Sequence, residues 1–82
     1  MTDKLLKLII EVPKNESSFV YFTFEANEGL CFYSTLPHIE GSQVRLIEIF
    51  VTKSLHNEFL TVFNFLKKKV EIKIVEDFTE EQ

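Results

Sequence analysis

Eighty-two residues with thirteen acidic and nine basic side chains make one small acidic domain of net charge −4, too short to divide into two cores. At 45% hydrophobic the chain is globular and not disordered, and its acidity argues against nucleic acid and anionic membrane, both of which are held by cations. No apolar run approaches the ~20 residues that span a bilayer, and the start, MTDKLLKLIIEV, has charges where a secretory leader needs an apolar centre. The lone cysteine, Cys31, closes no internal disulfide, so the expected setting is the reducing cytoplasm.

Residues 4–12, KLLKLIIEV, alternate. Leu6, Leu8, Ile10 and Val12 take one face, and Leu5, Lys7, Ile9 and Glu11 the other. This predicts a strand, and the apolar Leu5 and Ile9 on its second face predict a central one. Pro13 stops it, having no N–H for a ladder.

FVYFTF, 19–24, is rich in residues that favour strands. At about 100° per residue, however, Phe19, Phe22, Thr23, Ala26 and Leu30 fall on one side, and Tyr21, Glu25 and Glu28 on the other. A helix over about 16–28 is predicted. Asn15 is positioned to accept from its first turn, and Glu16 sits at the positive end of the dipole. Gly29 supplies the left-handed residue that closes the last turn. Phe24 lies off this stripe, as a flank residue packed by a loop or as a contact with another subunit.

A strand over 30–36 places Leu30, Phe32, Ser34 and Leu36 opposite Cys31, Tyr33 and Thr35, and Pro37 ends it. PHIEGS is a turn on Gly41. QVRLIEIFV, 43–51, is a strand apolar on both faces, with a bulge expected near Leu46 and Ile47. Ser54 is a candidate N-cap for a helix over 55–68. That helix carries the stripe Leu55, Phe59, Val62, Phe63 and Leu66, with Lys67, Lys68 and Lys69 at the negative end of its dipole. VEIKIVE, 70–76, is an edge strand with Val70, Ile72 and Ile74 inward and Glu71 and Lys73 outward. Residues 77–82, DFTEEQ, are expected to be a frayed acidic tail.

The order strand, helix, strand, strand, helix, strand, with right-handed crossovers, gives an α+β ferredoxin-like βαββαβ sandwich in a single domain, 1–82. Its four-stranded antiparallel sheet has the order 4-1-3-2, with both helices on one face. The other face stays open, with Leu5, Ile9, Tyr33, Phe50 or Ile49, and Val75 on it. Apolar patches of that size mean a partner, and a two-fold homodimer is the commonest cover. The expected interface is Leu5, Ile9, Phe24, Tyr33, Phe50 and Val75.

Glu25-Ala26-Asn27-Glu28-Gly29-Leu30, then Thr35-Leu36, then Gly41, resemble a small family of uncharacterised bacterial domains of unknown function over about residues 6–76. The fold this implies is also that of ACT-like regulatory domains, which pair through their sheets and often bind amino acids near the first strand–helix loop. Here that loop, Val12-Pro13-Lys14-Asn15, lacks the glycine that such binding uses.

Little else carries chemistry. His38 and Glu40 are two ligands where a metal needs three or four. Cys31 is a nucleophile only if His38 or His56 lies beside it. Glu25 and Glu28 share a helix face assigned to solvent. There is no phosphate loop, dinucleotide fingerprint or Ser-His-Asp signature, so no cofactor is implied. The expected function is a cytoplasmic, non-enzymatic dimeric regulatory or ligand-sensing module, with a small molecule as its possible ligand. A small enzyme with an inter-subunit site built on Cys31, His38 or His56 is the alternative. An RNA-binding module, stacking bases on central-strand aromatics, ranks last, since the charge is wrong and those strands offer only Phe50.

Overall fold

The computed structural model describes residues 4–81. Its elements run β1 (Leu5–Pro13), α1 (Ser17–Ala26), β2 (Phe32–Thr35), β3 (Val44–Thr52), α2 (His56–Lys69) and β4 (Lys73–Glu81). The fold is α+β, with one antiparallel sheet in the order β2-β3-β1-β4; read from the β4 edge, this is 4-1-3-2. β1 and β2 both run antiparallel to β3, which lies between them. The crossover through α1 therefore skips one strand.

β1 and β3 pair without interruption from Leu5 opposite Thr52 to Pro13 opposite Val44. On one face Leu8, Ile10, Val12, Ile47, Ile49 and Val51 are all 0% exposed. Val20 and Phe24 of α1 and Phe59, Phe63 and Leu66 of α2 complete the same core, so both helices cover one face of the sheet. The bulge expected at Leu46 and Ile47 is absent. Leu46 is an apolar residue on the uncovered face, next to Ile47 in the core, and two adjacent apolar residues mimic a break in alternation.

Segment 19–24 coils, but its phase differs from the expected one. Phe19 and Phe22 are exposed, and Val20, Thr23 and Phe24 are buried. Phe24, at 3% exposure, is core and is not available to a partner. Aromatics occur all round this helix, so two stripes are nearly equally apolar, and tertiary packing selects between them. Asn15 caps nothing, because it lies within a 3-10 turn, Lys14–Glu16, that leads into α1. Ser17 Oγ instead donates to the Lys14 carbonyl at 2.8 Å. The helix ends at Ala26, and Gly29, at φ +83°, closes a following turn in which Leu30 N–H donates to the Asn27 carbonyl at 3.0 Å.

α2 follows its stripe: Phe59, Phe63 and Leu66 are buried, and Leu55 and Val62 half-buried. Ser54 lies inside a second 3-10 turn, Lys53–Leu55, and the N-cap position falls to Leu55.

β4 departs most from expectation. Residues 77–81 are not frayed. They continue the strand, with Thr79 opposite Lys7 and Glu80 opposite Leu6; Gln82 lies outside the described residues. Two register shifts, between Lys7 and Ile9 and between Ile9 and Ile10, break the alternation of β4. Ile74, expected inward, is 41% exposed. Val70 and Ile72 do reach the core, but they precede the strand. The tail is held because Phe78 packs on the core, edge-on to Phe59 at 6.0 Å and to His56 at 4.6 Å. The Glu80 carboxylate also meets Lys4 and Lys53 at 3.2 and 3.3 Å. Those exposed ion pairs hold the Glu80 carboxyl below its usual range but contribute little to stability; the ladder and the ring dominate.

Phe59 is the hub of the ring cluster, with Phe24, Phe63 and Phe78 at 6.0, 5.5 and 6.0 Å. Phe59→Ala is expected to lower stability by about 3–5 kcal/mol in urea unfolding, as a buried aromatic truncation does. Phe22→Ala, on the exposed side of α1, should stay within about 0.5 kcal/mol.

Candidate functional site

The uncovered face of the sheet is set by alternation and register. Opposite the core row, β1 presents Leu5, Lys7, Ile9 and Glu11, and β3 presents Val44, Leu46, Glu48 and Phe50. Phe32 of β2 stands opposite Phe50 and is 70% exposed. Lys7 bridges to Glu76 of β4 at 3.3 Å. No helix among the described residues lies over this mixed surface, where Leu5, Ile9, Leu46, Phe50 and Phe32 alternate with Lys7, Glu11 and Glu48.

The expected interface residues divide. Leu5, Ile9 and Phe50 lie on the open face. Tyr33 does not, because it stands opposite Ile49 and so turns to the helix side. There it stacks on Tyr21 at 5.3 Å and lies 5.5 Å from Phe24. Ile49, the alternative to Phe50, is fully buried. Val75 is 50% exposed and sits at a register shift of β4. Phe32, not chosen from the sequence, takes the place given to Tyr33. Both faces of FYST carry one aromatic, and only the register against β3 tells them apart.

At one end of this face the 36–43 loop overhangs the sheet and forms a groove of ≈590 Å³. Its floor is Glu11, Val44 and Leu46, and its wall is Pro37, His38, Ile39 and Glu40. The loop is pinned at its two ends and closed by one internal turn. Leu36 N–H donates to the Leu46 carbonyl at 2.8 Å, and Lys14 N–H to the Gln43 carbonyl at 2.8 Å. Between them Ser42 N–H donates to the Ile39 carbonyl at 3.0 Å. Gly41 has φ +87°, the third position of a type II turn, where a Cβ would be strained. The sequence signals the turn but not that Glu11, nearly thirty positions earlier, lies beneath it.

The residues considered for chemistry do not gather. His38 lines the groove, His56 rests edge-on against Phe78, and Cys31 packs against the core beside β2. Among the described residues no three His, Cys, Asp or Glu side chains form a group able to hold a metal. Glu25 and Glu28 are exposed, and Glu25 Oε2 accepts a hydrogen bond from Tyr33 Oη at 2.6 Å. The Tyr21 and Thr35 hydroxyls are also hydrogen-bonded to each other. The first strand–helix loop borders a hollow of only ≈130 Å³, below the ~300 Å³ of ordinary ligand pockets. No helix among the described residues is long and apolar enough to cross a membrane.

Comparison with protein-family models, with curated proteins and with solved structures finds no match to this chain.

Two titrations follow. Burial pushes the Cys31 thiol up to about 11 from 9.0. Near pH 8 the folded protein should then react with a disulfide reagent about a hundredfold more slowly than the unfolded chain, since two pKa units remove that much thiolate. The bond to Glu25, and secondarily burial, hold the Tyr33 phenol at about 12 against 10.0. The folded state keeps this proton longer than the unfolded one, so its stabilising contribution is whole below pH ~10 and lost as pH rises towards ~12. An ultraviolet titration should show one tyrosine ionising near pH 12, and Glu25→Gln should bring it down.

Proposed function

We propose that this chain is a non-enzymatic, ferredoxin-like regulatory or ligand-sensing module that works as a homodimer paired through its open sheet face. One observation carries the reading. Phe32, 70% exposed, stands opposite Phe50 on a sheet face that no helix among the described residues covers. A domain of this size buries only a little over half of the surface of its unfolded chain, so covering that face adds burial the fold otherwise lacks. A half-buried lone cysteine suits a reducing, cytoplasmic setting. The enzyme alternative has less support, with Cys31, His38 and His56 in three separate surroundings.

Light scattering at micromolar concentration should give twice 9.6 kDa. Phe50→Asp, which places a charge at the centre of the pairing face, should return the mass to one chain with the far-ultraviolet spectrum unchanged. A wild-type protein that scatters as a single chain refutes the pairing.

A further inference from the structure

We infer that the groove under the 36–43 loop binds a small aliphatic amine. The ammonium is taken by Glu11 and Glu40, and the alkyl chain lies along Val44, Leu46 and Ile39. This names the ligand class for the sensing half of the reading above and rests on that half; one chain builds the whole groove, although Leu46 also belongs to the face proposed to pair.

Four observations converge. The volume, ≈590 Å³, lies within the ~300–1,000 Å³ range of small-molecule sites, and the pinned loop makes the groove preformed. The lining is apolar apart from a few polar groups, with Ile39 itself 84% exposed over the opening.

Next, the charge is of one sign. Glu11 is half-buried on the floor, and neither its carboxylate nor that of Glu40 has a hydrogen bond or ion pair among the described residues. The cations nearby do not serve them. Lys73, the first residue of β4, is the cross-strand partner of Glu11 but does not bridge to it. Arg45 turns to the other face and donates to the Ser42 and Val44 carbonyls at 3.1 and 2.9 Å. With Glu40 exposed at the rim and Glu11 only half-buried, both carboxylates stay accessible to a cation entering the groove.

Finally, the cation is organic. The described residues form no group able to hold a metal, whereas a pocket walled by Val44, Leu46 and Ile39 rewards a hydrocarbon stem. An anion is excluded by the two carboxylates and the absence of any Lys or Arg in the lining.

The test is a two-dimensional ¹⁵N–¹H NMR titration of the full chain with n-hexylamine, and with n-hexanoate and 1-hexanol at matched ionic strength. Hexylamine should give saturable shifts at residues 38–44 and at Glu11, hexanoate none, and hexanol only weaker ones. Glu11→Gln should raise the hexylamine dissociation constant about tenfold, the scale of a lost charge-assisted hydrogen bond. Ile39→Ser, at a site too exposed to affect folding, should weaken binding severalfold. The inference is overturned by equal shifts with hexylamine and hexanol, by saturable hexanoate binding, or by a dissociation constant unchanged in Glu11→Gln. It is also overturned if only a lysine-containing peptide binds and free amines do not, since the occupant would then be a protein side chain. The titration is also run on the single-chain Phe50→Asp protein, whose sheet face is uncovered: saturable hexylamine binding there supports the groove whatever the mass of the wild type, and its absence there overturns the groove without bearing on the pairing.

Discussion

The nine-residue antiparallel pairing of β1 with β3 is the constraint from which the rest follows. Side chains alternate along a strand with a period of two, so an uninterrupted ladder sends half of each central strand to the helices and half to the opposite face. The inward half is aliphatic and fully buried along Leu8, Ile10, Val12, Ile47, Ile49 and Val51, with only Leu6 and Arg45 at its ends half-buried. The outward half cannot be uniformly polar, because Leu5, Ile9, Leu46 and Phe50 are fixed there by the same register. A shift of one residue would exchange the two sets and bury Lys7, Glu11 and Glu48 beneath the helices, at a cost that far exceeds leaving a few aliphatics uncovered. The uncovered apolar residues are therefore tied to the core by the register.

What the sequence discloses depends on whether a segment has one apolar stripe or two. α2 has one: Phe59, Phe63 and Leu66 stand against Asn57, Thr61, Asn64 and Lys68, and both its type and its buried face can be read directly. α1 has two. With Phe19, Val20, Tyr21, Phe22 and Phe24 in six positions, periodicity identifies the helix but leaves its rotation open, and contacts with Tyr33 and Phe59 decide it. β4 fails differently. Its acidic residues read as a solvated tail, and its two register shifts erase the alternation that would have extended the strand. Phe78 was the available signal, a large ring in an acidic segment that finds its partners only in tertiary structure.

The site follows the same logic. The turn on Gly41 is legible because only certain residues suit a positive φ, and the open face is legible from element order. The groove is not, because it arises where a hairpin loop meets the far end of β1. Glu11 reads as an ordinary outward strand residue until the register with β3 brings Val44 and Leu46 beside it. A pocket built from one loop and two strands is a long-range property, and no local spacing encodes it.

The sheet's edges and its open face carry different risks of self-association. An edge strand offers unpaired backbone groups, and folds blunt it by brevity, proline, bulges and charge. β2 pairs over only four residues and runs into Pro37. β4 carries two register shifts and the charges of Lys73, Glu76, Asp77 and Glu80. Both edges are thus protected by recognised means. The open face is guarded less evenly: Lys7, paired with Glu76, stands opposite Phe50, and Glu48 lies two residues from Phe50 along the strand, while Phe32 beyond them is 70% exposed. Both edges are blunted while Phe32 stays exposed on the face, so what the sheet leaves open to contact is side chain and not edge backbone.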